Sequence, residues 1–153
     1  MIEVKPPHCF ETYQNMKAIF LAGSIDMGVA VDWQAEVSRK LQDQDVLILN
    51  PRRDEWDSSW AQSIDNTQFR EQVEWELDAL ERADKILIYF APGTKAPVTM
   101  LELGVHVGKN PEKLVVCCTD GYWRKGNVDI TCTKYGVQQV STLDDLIKSA
   151  TDY

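Results

Sequence analysis

The sequence is poor in metal ligands. It has two histidines, His8 and His106, and four cysteines, Cys9, Cys117, Cys118 and Cys132, with no C-x-x-C spacing. Cys117 and Cys118 are adjacent in Leu114-Val-Val-Cys-Cys118. Neighbours on a strand point to opposite faces, which is poor geometry for a shared metal. No zinc or other metal site is expected, and no cofactor. Buried free thiols in a reducing cytosol are the expectation, and with them a cytoplasmic location. The chain also lacks an apolar run near the ~20 residues that span a bilayer. Its opening residues, MIEVKPPHCFETYQ, hold no apolar h-region, so no secretory signal is expected. Positive charge is scarce: 16 basic residues stand against 24 acidic ones, a net of -8. That balance disfavours a nucleic-acid polymer or an anionic membrane as partner. It leaves room for a small ligand held by a few local donors. There is no G-x-G-x-x-G, no Walker loop, no repeat and no low-complexity tract.

What is present suits one soluble globular domain. The chain has 153 residues, 44% hydrophobic and 26% charged, enough for one sizeable core. Residues 1–16 carry two prolines and little periodicity, and read as an arm before a domain spanning 17–153. Short continuous apolar runs mark buried strands at Ala18–Gly23, Val46–Leu49, Lys85–Phe90 and Leu114–Cys118, with a short fifth at Val137–Val140. Helical spacing marks Val31–Gln44, through Trp33, Val37 and Leu41, and Phe69–Ala83, through Phe69, Val73, Leu77 and Leu80. Pro97 suits the first turn of a helix running to Gly108. Thr142 suits the cap of a last helix ending at Ser149. Gly121–Thr133 reads as a loop or ribbon. Alternating strands and helices predict an α/β fold with a doubly wound parallel sheet of about five strands. Ligands then sit beyond the carboxyl ends of the strands. This selects four loops: Gly23–Gly28, Asn50–Asn66, Ala91–Thr99 and Asp120–Asn127.

Within those loops some residues carry chemistry. Gly23, Ser24 and Asp26 belong to a strand-to-helix turn whose amides can cradle a polar ligand, or which is simply a tight turn. Arg52, Arg53, Trp56 and Trp60 crowd a polar segment of lid length. Arginines fork onto phosphate or carboxylate and indoles stack on a base. The alternative is that the indoles pack on the sheet and the arginines pair with Asp54, Glu55 and Asp57. Glu102 lies between Leu101 and Leu103 in the first turns of a helix, facing the ligand edge. Its competing role is a capping box, Thr99-Met-Leu-Glu102, which Pro97 argues against. Glu76 lies at the border of an apolar stripe. Two carboxylates in an apolar cleft suit chemistry at an anomeric carbon, one as nucleophile and one as acid.

Four stretches together resemble the nucleoside 2-deoxyribosyltransferase superfamily, and most its 2-deoxyribosyltransferase-like branch. They are Ile19-Phe-Leu-Ala-Gly-Ser-Ile25, Asn50-Pro-Arg-Arg53 with Trp56, Gln72–Asp84, and Met100-Leu-Glu-Leu-Gly104. The resemblance implies a flavodoxin-like fold and cleavage of the N-glycosidic bond of 2′-deoxynucleosides, with transfer of the sugar to another base. It places the nucleophile of an E-x-G motif on Glu102 and the acid on Glu76, where relatives usually carry aspartate. It puts Phe20, Gly23, Ser24, Asp26, Arg53 and Trp56 around the substrate. A homo-oligomer is implied, with Asn127 as the residue lent to a neighbouring site. Two departures stand out. Phe20 replaces a tyrosine that orients the nucleophile, and Thr94-Lys-Ala-Pro97 lacks the acid that binds the sugar 5′-hydroxyl. Lys95, Arg52 or Arg53 would instead favour a 5′-phosphate. A hydrolase acting on deoxynucleosides or their monophosphates, and a nucleotide-binding module without turnover, are the alternatives these departures open.

Overall fold

A computed structural model of the protein describes residues 1–25 and 31–152. Among these residues the order is β1 (Ile2–Val4), β2 (Lys17–Gly23), α1 (Trp33–Lys40), β3 (Val46–Leu49), α2 (Thr67–Arg82), β4 (Lys85–Phe90), α3 (Pro97–Lys109), β5 (Leu114–Cys118), α4 (Lys125–Tyr135), β6 (Gln138–Val140) and α5 (Leu143–Ser149). The strands form one sheet in the order β1-β3-β2-β4-β5-β6, and every pair is parallel. The fold is α/β and doubly wound, Rossmann-like.

Strand periodicity assigns the two faces. Ile19 and Leu21 of β2 join Trp33 and Val37 of α1 and Leu146 and Ile147 of α5 in one core. Ala18, Phe20 and Ala22 join Trp75 and Leu80 of α2, Leu103 of α3 and Val128 of α4 in the other. The chain leaves β2 for β3 on one side and returns to β4 on the other. The helices that follow β2 and β4, α1 and α3, therefore lie on opposite faces of the sheet, and the point where the two connections part, the crevice of such sheets, is their usual ligand position.

Four features depart from the sequence expectation. The sheet has six strands among the described residues, not about five. The extra one is Ile2–Val4, which pairs with Leu47–Leu49 at the edge. Three residues ahead of a Pro-Pro pair give too little periodicity to read. Second, Lys125–Tyr135 is a helix and not a loop or ribbon. It buries only Val128 and Cys132, one turn apart, so its amphipathic signal is weak. Third, the first helix is shorter than Val31–Gln44. Asp32 caps it, its carboxylate accepting from the Ala35 N–H at 3.0 Å.

The fourth departure matters for function. The buried face of α2 is Gln72, Trp75, Ala79 and Leu80, whereas Leu77 is 52% exposed. Trp75 sets this rotation. Its indole N–H donates to the His8 carbonyl at 2.8 Å, and its ring meets Phe10 edge-on at 5.5 Å. A tryptophan buries more area than a leucine, so its anchoring decides the phase. Gln72 and Glu76 then share one row of the helix with Ala79 and Leu80, and Glu76 turns inward.

Candidate active site

Ser24 closes the β2 end of the crevice. The Ala91 N–H donates to Ser24 Oγ at 3.1 Å, Ser24 Oγ lies 2.6 Å from Thr94 Oγ1, and Thr94 Oγ1 donates to the Ala91 carbonyl at 2.9 Å. The threonine proton is committed to the carbonyl, so the serine must donate to the threonine. The result is a closed ring binding the loop after β2 to the loop after β4. Gly23 is required beside it. A Cβ there would lie 2.5 Å from the Tyr89 carbonyl oxygen and 2.7 Å from Trp33 Cζ2. The Trp33 indole N–H in turn donates to the Ser24 carbonyl at 3.2 Å. Phe20 is fully buried. Gly23 and Ser24 thus pack the end of β2 against the loop after β4, with Phe20 in the core beneath them. Asp26 lies outside the described residues.

α3 rises from the other lip. Its first turn has no side-chain cap: Ala96 precedes it at φ 44°, and Pro97 takes the first position. Thr99 sits inside the helix and is buried, which removes the capping-box role for Glu102. The Tyr122 hydroxyl and the Trp123 indole N–H both donate to the Lys95 carbonyl, at 2.7 and 3.3 Å. They hold the left-handed entry in place. Leu103 is buried and Leu101 is 68% exposed, so Glu102 sits between core and surface.

Glu76 on α2 and Glu102 on α3 are both desolvated, and the charge of Glu76 reaches Glu102. Burial pushes Glu76 up to about 7, against the opposing pull of the amide donated by Gln72. Burial, and after it the charge of Glu76, together push Glu102 up to about 8. The two groups are within electrostatic reach, and among the described residues no cation pairs with either. Such a pair releases its protons in two coupled steps. The Gln72 Nε2 group donates to Glu76 Oε1 at 2.7 Å and to the Pro51 carbonyl at 3.0 Å. This ties the carboxylate to the loop after β3.

That loop packs against α1 and α2. Arg52 approaches Asp32 at 3.6 Å and Gln34 Oε1 at 3.4 Å. Arg53 pairs with Glu71 at 3.4 Å and lies 5.0 Å above the Trp60 ring. Trp56 meets Trp60 edge-on at 5.2 Å. The arginines therefore do not pair with Asp54, Glu55 or Asp57, and Asp54 pairs instead with Lys5. Four buried polar atoms here have no partner: Gln34 Nε2, Arg53 Nε, Trp56 Nε1 and Gln72 Oε1. Sequence reading passed over Gln34 and Gln72, because glutamines on helices usually face solvent. The corrected phase of α2 is the signal that finds Gln72.

Asn127 is exposed in the first turn of α4, and among the described residues no hydrogen bond joins it to either glutamate. A polar cavity of about 500 Å³ lies beyond β5 and β6, lined by Thr119, Asp120, Lys125, Asp129, Gln139 and Ser141 among others. It contains neither glutamate, and it lies away from the β2/β4 divergence. Among the described residues no cluster of three or more His, Cys, Asp or Glu could hold a metal ion, and no helix is long and apolar enough to cross a membrane.

A model of the family described as nucleoside 2-deoxyribosyltransferase like matches residues 16–122. The chain belongs to this family. No curated protein matches it. The matched span takes in β2 to β5, both glutamates and the arginine–tryptophan loop, and it ends before α4. Membership in the nucleoside 2-deoxyribosyltransferase like family fits a small-molecule site at the divergence of β2 and β4.

Proposed function

We propose that the protein cleaves the N-glycosidic bond of a 2′-deoxynucleoside and transfers the deoxyribosyl group to another base. The observation that carries this reading is a coupled, desolvated carboxyl pair on α2 and α3 that no cation pairs with among the described residues. In the productive state the pair holds one proton, carried by Glu76; this is the minor arrangement in the free protein, where Glu76 at about 7 ionises before Glu102 at about 8. A Glu102 carboxylate oxygen attacks C1′ while the C1′–N bond breaks. Its electron pair goes to the leaving base, which takes the proton of Glu76. The covalent deoxyribosyl ester is then attacked at C1′ by a second base, whose proton returns to Glu76 as Glu102 departs. Trp56 and Trp60 cover the base, and Asp26, outside the described residues, is the side chain assigned to the sugar.

Arg52 and Arg53 are already engaged by Asp32 and Glu71, which favours an uncharged 5′ end over a 5′-phosphate. The α3 helix exposes Val98, Leu101 and Val105 on one stripe beside Glu102. A second copy seated there would cover that stripe and bring a residue such as Asn127 toward the site. The protein then works as a cytoplasmic homo-oligomer.

Incubation with deoxyinosine or deoxyadenosine and a second free base, followed by chromatography, tests the reaction. Base exchange is expected. Free base without incorporation would make the protein a hydrolase. Ligand-dependent melting without turnover, across nucleosides and 5′-monophosphates, would make it a binding module.

A further inference from the structure

Gln72 is buried to 4% exposure in the middle of α2. Both hydrogens of its amide nitrogen are used, one on the Pro51 carbonyl and one on Glu76 Oε1. These two acceptors fix the amide orientation, because the flipped amide would set its oxygen against two other oxygens. The cost is visible at the other end, where Gln72 Oε1 is buried without a partner. A methionine would fill similar volume and remove the orphan acceptor, but it would also take the donor from the Pro51 carbonyl and from Glu76 Oε1.

We infer that Gln72 is a positioning residue, whose amide occupies Glu76 Oε1 so that the carboxyl proton resides on the outward oxygen, facing the ligand. The inference rests on the reading of Glu76 as the acid of the pair. An oxygen that accepts a short hydrogen bond from an amide is the poorer site for the proton, so Oε2 carries it. The same bond draws Glu76 downward against burial, whereas among the described residues Glu102 has no such donor. Gln72 thus makes the two glutamates unequal, and its second bond keeps Glu76 in step with the loop bearing Arg53 and Trp56. Glu102 on α3 is the ionisable group coupled to Glu76. Arg52 and Arg53, on the loop packed against α2, are held by Asp32 and Glu71.

The test is a carbon-13 carboxyl NMR titration of the ligand-free protein and of Gln72→Met, with pH profiles of kcat and KM for base exchange. In Gln72→Met the Glu76 midpoint is expected to rise, the acid limb of kcat to move to higher pH, and kcat to fall about tenfold with KM little changed. An unmoved Glu76 midpoint in folded Gln72→Met overturns the inference. Should that variant not fold, the side-chain amide signals of Gln72 in the unmodified protein decide. They are expected to shift with pH at the Glu76 midpoint, and pH-independent signals overturn the inference. Absence of turnover in the unmodified protein would defeat the proposed reaction alone, because the NMR midpoints report the Gln72–Glu76 bond without any substrate.

Discussion

The two edges of the sheet treat polar groups in opposite ways. At the amino edge, Asp84 accepts from the Ala18 N–H at 2.8 Å, pairs with Arg82 at 3.3 Å and faces Lys17 at 3.8 Å, while its own N–H donates to the Ala18 carbonyl at 2.8 Å. Arg82 also donates to the carbonyls of Tyr13, Gln14 and Met16, at 3.3, 3.1 and 2.7 Å. Lys85 reaches the Ser149 carbonyl at 2.6 Å and that of Asp152. Charges there are answered by partners and the segments are bound together. At the carboxyl edge, among the described residues, two electrostatically coupled glutamates have no cation and four buried polar atoms stand unpartnered. His106 Nδ1 is a fifth such atom, further along α3. An unanswered buried group destabilises the fold, and its concentration at one edge coincides with the edge proposed to bind the ligand.

Exchange of residues at the two edges separates stability from turnover. Glu102→Gln is expected to lower base exchange by at least about a thousandfold while the melting temperature stays level or rises, read by chromatography and calorimetry. Unchanged exchange would remove the nucleophile from the proposed mechanism. Asp84→Ala is the converse. Unfolding in urea should show a loss of about 2–4 kcal/mol, with activity per folded molecule retained.

The pH dependence of stability sharpens the contrast. Both glutamates keep in the native state protons that the unfolded chain releases from its ordinary value of 4.5. Stability therefore declines as pH rises above that value, and levels off only once the folded groups ionise at about 7 and about 8. Melting followed across this range should flatten in Glu102→Gln, and an unchanged slope would mean the pair is not desolvated. Activity should peak between the two titrations and fall on either side. The smallest effect is at the crevice wall. Ser24→Ala opens the ring with Thr94 and Ala91, and should lower stability by about 1–2 kcal/mol in denaturant titration.

Much of this was legible in the sequence, for reasons that vary by element. The runs at β2 to β5 are continuous and apolar, so strand type and the parallel sheet follow directly. Glu102 is legible because apolar neighbours and Pro97 place it on a helix at the ligand edge. The edge strand and α4 were not, since three residues before a Pro-Pro pair and a helix burying two side chains leave little pattern. The stripe through Leu77 was misjudged because periodicity weighs leucine and tryptophan alike, whereas the contacts of Trp75 with His8 and Phe10 are long-range. The bond from Gln72 to Glu76 depends on that corrected phase.

Ala96 offers a last consequence. A non-glycine residue at φ 44° is disfavoured by roughly 1–2 kcal/mol, yet it fixes where α3 begins. Each residue of a helix advances the side chain by about 100° around the axis. A start displaced by one position would swing Glu102 from the crevice toward the face that exposes Leu101 or the one that buries Leu103. Ala96, braced from behind by Tyr122 and Trp123 through the Lys95 carbonyl, acts as the index mark of the helix. It sets the angular reading of a carboxylate nearly two turns away.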